Sequence, residues 1–321
     1  MEKKRESYDW KRFFAKPEIS VLMGLIAMCV AMVILRPNTF PTLINIFNVL
    51  RQISLTAILA VGMGLVIITK GIDLSVGSVI AFASCLGAYV GRNMGAPPII
   101  VLLVILLAGT AFGMMNGIII TKLRMPPFIV TLGSMSVATG IALVITRGSP
   151  ISHPPTWISV FGGGFIGRFP VTILVMVAVV VAGYMFAEYT QTGRNIYAIG
   201  NSEKAAKFTG ISVDRTIITA YAITGFLAGL CALILVGQMN SGDPSFGSGH
   251  ELNVIAAAVI GGVSMGGGKG NILGVVIGAA VMGVLRNAFV LLAVSGHLQT
   301  IAIGVVIVLA VAIDSVRKGR S

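Results

Sequence analysis

Pro97-Pro98-Ile99-Ile100-Val101-Leu102-Leu103-Val104-Ile105-Leu106-Leu107-Ala108-Gly109-Thr110-Ala111-Phe112-Gly113-Met114-Met115-Asn116-Gly117-Ile118-Ile119-Ile120-Thr121 runs without one charged side chain and is closed by Lys122 and Arg124. As a helix, at about 1.5 Å per residue, such a run covers the roughly 30 Å hydrocarbon core of a bilayer. Hydrocarbon offers no hydrogen bonds, so a lone segment there satisfies its own N–H and C=O groups by becoming helical. A barrel strand would alternate apolar with polar residues, and this run does not.

The pattern recurs on both sides of it. Apolar spans are read at 19–36, 52–69, 75–91, 97–121, 127–146, 170–187, 215–237, 252–265, 271–293 and 297–313. They predict an all-α integral membrane protein of about ten transmembrane helices, in a single domain over 1–321. Composition agrees: 56% of residues are hydrophobic, 11% are charged, and mean hydropathy is +0.96. That is too little polar surface for a water-soluble globule of this size. The 40 glycines suit helices that pack closely or break. Cys29, Cys85 and Cys231 all lie in apolar runs with no paired or metal-type spacing, so they read as small buried residues, and neither a disulfide framework nor a metal is implied.

The net charge of +12 arises from basic residues at span ends, not from clusters interleaved with aromatics, which argues against nucleic acid. With the N-terminus inside, all of the 23 lysines and arginines except Arg36, Arg51, Arg92, Arg147, Arg168 and Arg286 fall on the cytoplasmic side. The positive-inside rule therefore places both termini in the cytoplasm. Segments 1–17, 188–214 and 315–321 are cytoplasmic in this reading. The first span runs into Arg36-Pro37-Asn38 without a small-residue cleavage site, so it is expected to remain as an anchor.

The chain also looks repeated. Gly71-Ile72-Asp73-Leu74-Ser75-Val76-Gly77-Ser78 follows the second span, and Gly242-Asp243-Pro244-Ser245-Phe246-Gly247-Ser248 follows the seventh. Asn116 lies beyond Asp73 at nearly the separation of Asn287 from Asp243. Five spans divide the copies, and an odd number inverts the second, giving a five-plus-five inverted repeat with broken helices. Asp73, Ser75, Gly77, Ser78, Asn116, Asp243, Ser245, Glu251 and Asn287 are the candidates for the breaks or the path they line. For Asp73 the alternative is a plain helix cap.

Two further segments draw attention. In 188–214, Ser202 can N-cap a two-turn helix, Glu203 suits its positive end, and Ala205, Ala206 and Phe208 offer a small apolar face. Gly210 can close it. Such a helix is either a docking knob for a cytoplasmic partner or an ordinary surface helix. From Gly247 to Gly270, glycine clusters bracket an apolar piece too short to span, as in a half-helix. Its Gly268-Lys269 is not a phosphate loop, because Val263 and Gly270 stand where the loop needs glycine and Ser or Thr. ATP binding by this chain is thereby rejected, and no cofactor is implied. His250-Glu251 reads as a helix start, with proton shuttling the rival.

Taken together, Val61-Gly62-Met63 leading into Gly71–Ser78, Thr192 through Gly200, and Glu251-Leu252 through Ile255-Ala256-Ala257 to Gly267-Gly268-Lys269-Gly270 resemble one family. It is the membrane permeases of bacterial ribose, arabinose, xylose and galactoside ATP-binding-cassette importers, the ribose permeases being the branch most resembled. The resemblance covers nearly the whole chain. It implies that Glu203 through Gly210, with Ala205, Ala206 and Phe208, form the coupling helix that meets a separate ATP-binding subunit. It also implies a periplasmic sugar-binding protein, a second permease copy, and residence in the inner membrane. His250 stands where the family often has Tyr, which leaves sugar identity and any pH dependence open, and Lys204 where it often has Ala; permeases that share the wider fold leave autoinducer-2, a polyol or a branched-chain amino acid as alternative cargo. An ion-coupled carrier is the rival of another class; its weakness is that the spans hold almost no ionisable residue besides Arg286.

Overall fold

The computed structural model describes residues 17–318; the expectations placed on 1–16 and 319–321 lie outside the described residues. Helices dominate. Seven are long and apolar enough to cross a membrane: α1 (Pro17–Leu35), α2 (Leu43–Ile68), α4 (Pro98–Lys122), α5 (Pro127–Thr146), α7 (Val171–Tyr189), α10 (Val213–Met239) and α12 (Ile272–Leu291). Three apolar ones are shorter by that measure: α3 (Val76–Arg92), α11 (His250–Ile260) and α13 (Gly296–Lys318), the last apolar over Gly296–Leu309. A short helix, α6 (Ser159–Gly163), precedes α7, while α8 (Gln191–Asn201) and α9 (Glu203–Phe208) follow it.

Local chemistry sets the boundaries. Pro98 and Pro127 open α4 and α5 in the first turn, where the missing N–H costs nothing. Thr42 caps α2 by accepting the Asn45 N–H. That cap explains a correction: hydropathy starts this span at 52, but the helix begins at Leu43. The added turns carry Asn45, Asn48 and Arg51, which with Gln52 line a cavity and so lower the hydropathy without leaving the helix.

The segment between α5 and α7 takes part in two small antiparallel ribbons. One joins β1 (Ile151–Ser152) to β4 (Ser241–Gly242), and the other joins β2 (Phe165–Ile166) to β3 (Phe169–Pro170). Arg92 Nη1 donates to the Ser152 carbonyl at 2.6 Å, tying the end of α3 to this segment.

The core forms around α2, which apart from Thr56 is buried from Ile53 to Ile68, and α10. α2 packs on α12, α10 on α4, and α10 also on α2 and α3. Glycine makes the α4–α10 contact possible. Gly109, Gly113 and Gly117 form a stripe on α4, and a Cβ on Gly113 would sit 2.1 Å from the Tyr221 carbonyl oxygen. A Cβ on Gly225 would sit 2.2 Å from the Gly109 carbonyl oxygen. Helices in lipid gain little from hiding apolar surface, so close backbone packing of small residues has to hold them. α1, α4, α5 and α7 present large apolar side chains outward. Lipid makes that exposure harmless. Cys85 and Cys231 are buried, Cys29 partly so, and all three are free thiols.

Candidate functional site

The first break lies between α2 and α3. α2 ends with Lys70 at φ 67, and the Lys70 and Gly71 N–H groups donate back to Ile67 and Val66. The chain then folds back into the protein. Asp73 is only 2% exposed, and its Oδ1 accepts both the Ser75 N–H at 2.9 Å and the Ser75 hydroxyl at 2.6 Å. Ser75 Oγ accepts in turn from Asn116 Nδ2 at 2.9 Å, and Asn116 Oδ1 accepts from the Ser134 hydroxyl. One hydrogen-bonded chain thus ties α5 and α4 to the break. The Ile72 carbonyl accepts from Thr131 and Tyr221, and Ser78 bonds the Ser75 carbonyl. Asp73 is not the cap of α3. Ser75 holds that position without a side-chain cap bond, and Asp73 forms a turn around it.

The second break repeats the turn. Asp243 Oδ1 accepts the Ser245 N–H at 2.8 Å and the Ser245 hydroxyl at 2.7 Å, but here the group is more open to solvent. The two breaks then meet. A Cβ on Gly77 would lie 2.3 Å from the Gly247 carbonyl oxygen and 2.5 Å from Glu251 Oε2; a Cβ on Gly247 would lie 2.3 Å from the Gly77 carbonyl oxygen. The signal for this pairing is the shared order Asp, Ser, Gly, Ser at 73, 75, 77, 78 and at 243, 245, 247, 248.

Asn287 departs from the expected pattern. It does not join the Asp243 turn as Asn116 joins Asp73; it exchanges hydrogen bonds of 2.8 and 3.2 Å with Asn45 of α2. That pair edges a cavity of about 680 Å³ which sequence reasoning missed. α2 contributes Asn45, Asn48, Arg51 and Gln52, and α10, α11 and α12 contribute Gln238, Asn253 and Arg286. No Asp or Glu lines it among the described residues. Arg51 Nε and Gln52 Oε1 are buried and find no protein partner among the described residues, while the Arg51 guanidinium stands 4.9 Å from the centre of the Phe165 ring. The sequence signal was there: polar residues at 45, 48, 51 and 52 recur with helical spacing ahead of an apolar run.

At the other end of the bundle sits the 188–214 segment. It contains two helices where one was expected. The missed one, α8, is capped by Thr190 and buries Gly193, Ile196 and Ile199. Gly200 fits tightly against the Ile68 carbonyl and Gly268, and the Gly268 N–H donates to Ile68 at 2.9 Å. Ser202 then caps α9 by accepting the Ala205 N–H. Gly210 closes it at φ +81, with its own N–H bonded to Lys207 and that of Ile211 to Ala206.

One expected face is corrected. Ala206 does not point outward; it is 4% exposed and packs with Ile199 and Val213, because the closing turn folds Ile211 onto that side. The outward residues are Glu203, Lys204, Ala205, Lys207 and Phe208, the last 91% exposed. Lys122 bonds Asp214 at 2.8 Å nearby.

The Asp73 turn supports a stability prediction. Asp73→Ala leaves the Ser75 donors without an acceptor in a buried setting, a cost of about 1–3 kcal/mol. The extracted variant should melt several degrees lower, as about 1 kcal/mol shifts Tm by roughly 2–4 °C in larger domains. Asp73→Asn, which keeps an acceptor oxygen, should lose less. Equal melting of the Ala variant and the parent chain would contradict the role given to this turn.

Residues 45–311 match the model of the family described as branched-chain amino acid transport system / permease component. The chain is 41% identical to the ribose import permease protein of Escherichia coli strain K12, over 98% of this chain and 99% of the relative. It is 38% identical to the ribose import permease protein of Bacillus subtilis strain 168, over 92% of each. Identity to the galactose/methyl galactoside import permease protein of Escherichia coli strain K12 is 32%, over 92% of this chain and 94% of that one.

Proposed function

Because the chain belongs to the family of branched-chain amino acid transport system permease components, we propose that it is the membrane subunit of an ATP-binding-cassette importer carrying a monosaccharide, ribose or a close relative, into the cytoplasm. The observation that carries this reading is the 41% identity, sustained over 98% of the chain, to a ribose import permease. The family description names amino acids, but the full-length relatives quoted above are named for sugars.

Architecture supports the reading. We take the seven long and three shorter apolar helices as ten spans with both termini inside, and the chain as two inverted halves. The identical turns at Asp73 and Asp243, the reciprocal contact of Gly77 with Gly247, and the matched pairs α2 on α12 and α10 on α4 support that division. ATP-driven rocking of such halves would alternate access around the breaks. The residues proposed to line or set that path are Asp73, Ser75, Gly77, Ser78, Asn116, Asp243, Ser245 and Glu251.

The chain holds no phosphate loop, so hydrolysis falls to a partner. The proposed contact with it is α9, a short helix held by two caps and presenting Phe208 outward. A binding protein on the opposite side would deliver cargo, and a second permease copy would complete the assembly in the inner membrane.

Uptake tests the cargo class. In cells that carry this chain and its partners, removing the chain should abolish uptake of labelled D-ribose and leave L-leucine uptake unchanged. Loss of leucine uptake with ribose uptake intact would refute the sugar assignment.

A further inference from the structure

We propose that the cavity between α2, α10, α11 and α12 is a cargo-holding station inside a single chain, one that takes a neutral polyhydroxylated molecule of monosaccharide size. The proposal rests on the importer reading but goes beyond it, because it places the cargo contact within one copy of the chain.

Three observations converge. The first is the hydrogen-bonding inventory. Asn48, Gln52, Gln238 and Asn253 offer both donors and acceptors, and the two arginines offer donors only. The buried Gln52 Oε1 needs a donor and the buried Arg51 Nε needs an acceptor. A bare anion would serve the arginine and leave Gln52 unmet, and a cation would do the reverse against two arginines. A hydroxyl group serves both, since it donates and accepts at once.

The second is size. About 680 Å³ falls within the range of small-molecule sites, roughly 300–1,000 Å³. The third is position. The α11 end of the cavity holds His250, whose backbone N–H donates at 2.9 Å to the Gly247 carbonyl, the same group that touches Gly77. The cavity therefore abuts the point where the two breaks meet, on the side of the bundle opposite α8 and α9. A molecule held there stands beside the Gly77–Gly247 contact between the proposed halves.

Gln52→Leu provides a clean probe. It keeps the side-chain size and removes a buried acceptor that has no protein partner, so folding should not suffer. The test uses the full chain in nanodiscs, with the native cysteines replaced and Asn48→Cys as the reporter in the cavity. D-ribose at about 50 mM, well above a millimolar Kd, should slow thiol labelling of this reporter at least about threefold. L-leucine should not, and Gln52→Leu should remove the protection. In the complete transporter, Gln52→Leu should lower D-ribose uptake about tenfold at normal abundance.

The outcomes separate the two readings. A reporter that does not react, or one that D-ribose leaves unprotected, overturns the station while ribose uptake by the parent transporter upholds the importer. Protection by L-leucine and not by sugars overturns the station as a sugar site and, with absent ribose uptake, the cargo class as well.

Discussion

Gly113→Val should remove nearly all folded chain from the membrane, whereas Gly133→Val should accumulate close to the level of the parent. Both are single glycine-to-valine changes inside long apolar helices, and hydropathy does not distinguish them. Packing does. A Cβ on Gly113 would lie 2.1 Å from the Tyr221 carbonyl oxygen and 3.0 Å from backbone atoms of Gly225, so nothing short of moving α10 bodily makes room. A Cβ on Gly133 would meet no atom of another element within 4 Å. Forcing apart the α4–α10 stripe also loosens Gly109 and Gly117, which share it, and overpacking of that severity costs about 4 kcal/mol or more. That is roughly a thousandfold in the ratio of folded to unfolded chain. Size-exclusion chromatography of a fluorescently tagged chain reads the result directly. A monodisperse Gly113→Val peak of normal height would mean that α4 and α10 do not meet as described.

Phe208→Asp should lower cargo-stimulated ATP hydrolysis by the purified transporter at least about tenfold while leaving the amount of chain in the membrane unchanged. At 91% exposure this phenyl ring contributes little to its own fold, so a charge there has nothing internal to disturb. Only a partner surface would notice it, and tenfold corresponds to roughly 1.4 kcal/mol of coupling. Gly210→Val should act in the same direction by another route. A β-branched residue is strained at φ +81, and the closing turn that aims α9 would open. Ala206→Asp would be less informative than its place in the sequence suggests. It buries an unpaired charge against Ile199 and Val213, so it unseats the helix from below and does not alter its outward face. Full stimulated hydrolysis in both Phe208→Asp and Gly210→Val would remove α9 from the coupling role.

Membrane class and helix positions were legible because hydrocarbon imposes a length and a composition on each helix, as at Pro98–Lys122. The capping of α9 was legible too, since Ser202 and Gly210 act through local backbone geometry alone. Legibility failed where polarity serves an interior. Asn45, Asn48 and Arg51 look like the end of a loop to a hydropathy window, yet they continue α2 and, with Gln52, line a cavity. Gln191–Asn201 looked like a loop because its apolar residues are few, and its burial depends on Gly200 fitting against Ile68 and Gly268 from distant parts of the chain. Spacing placed Asn287 as the counterpart of Asn116, but its partner proved to be Asn45, because side-chain pairing depends on which helix is adjacent as well as on separation along the chain. The orientation of Ala206 likewise depended on the fold of Ile211 beyond the helix.

The central claim is that this chain passes a sugar inward under the power of a separate ATPase acting through α9. Its most direct test is D-ribose uptake into proteoliposomes that hold the chain with its ATP-binding subunits, with the binding protein and sugar outside and ATP enclosed. The account predicts uptake that requires enclosed ATP, stops when the ATP-binding subunits are omitted, falls at least about tenfold with Phe208→Asp, and ignores an imposed proton or sodium gradient. Uptake that follows the ion gradient and continues without the ATP-binding subunits would contradict it.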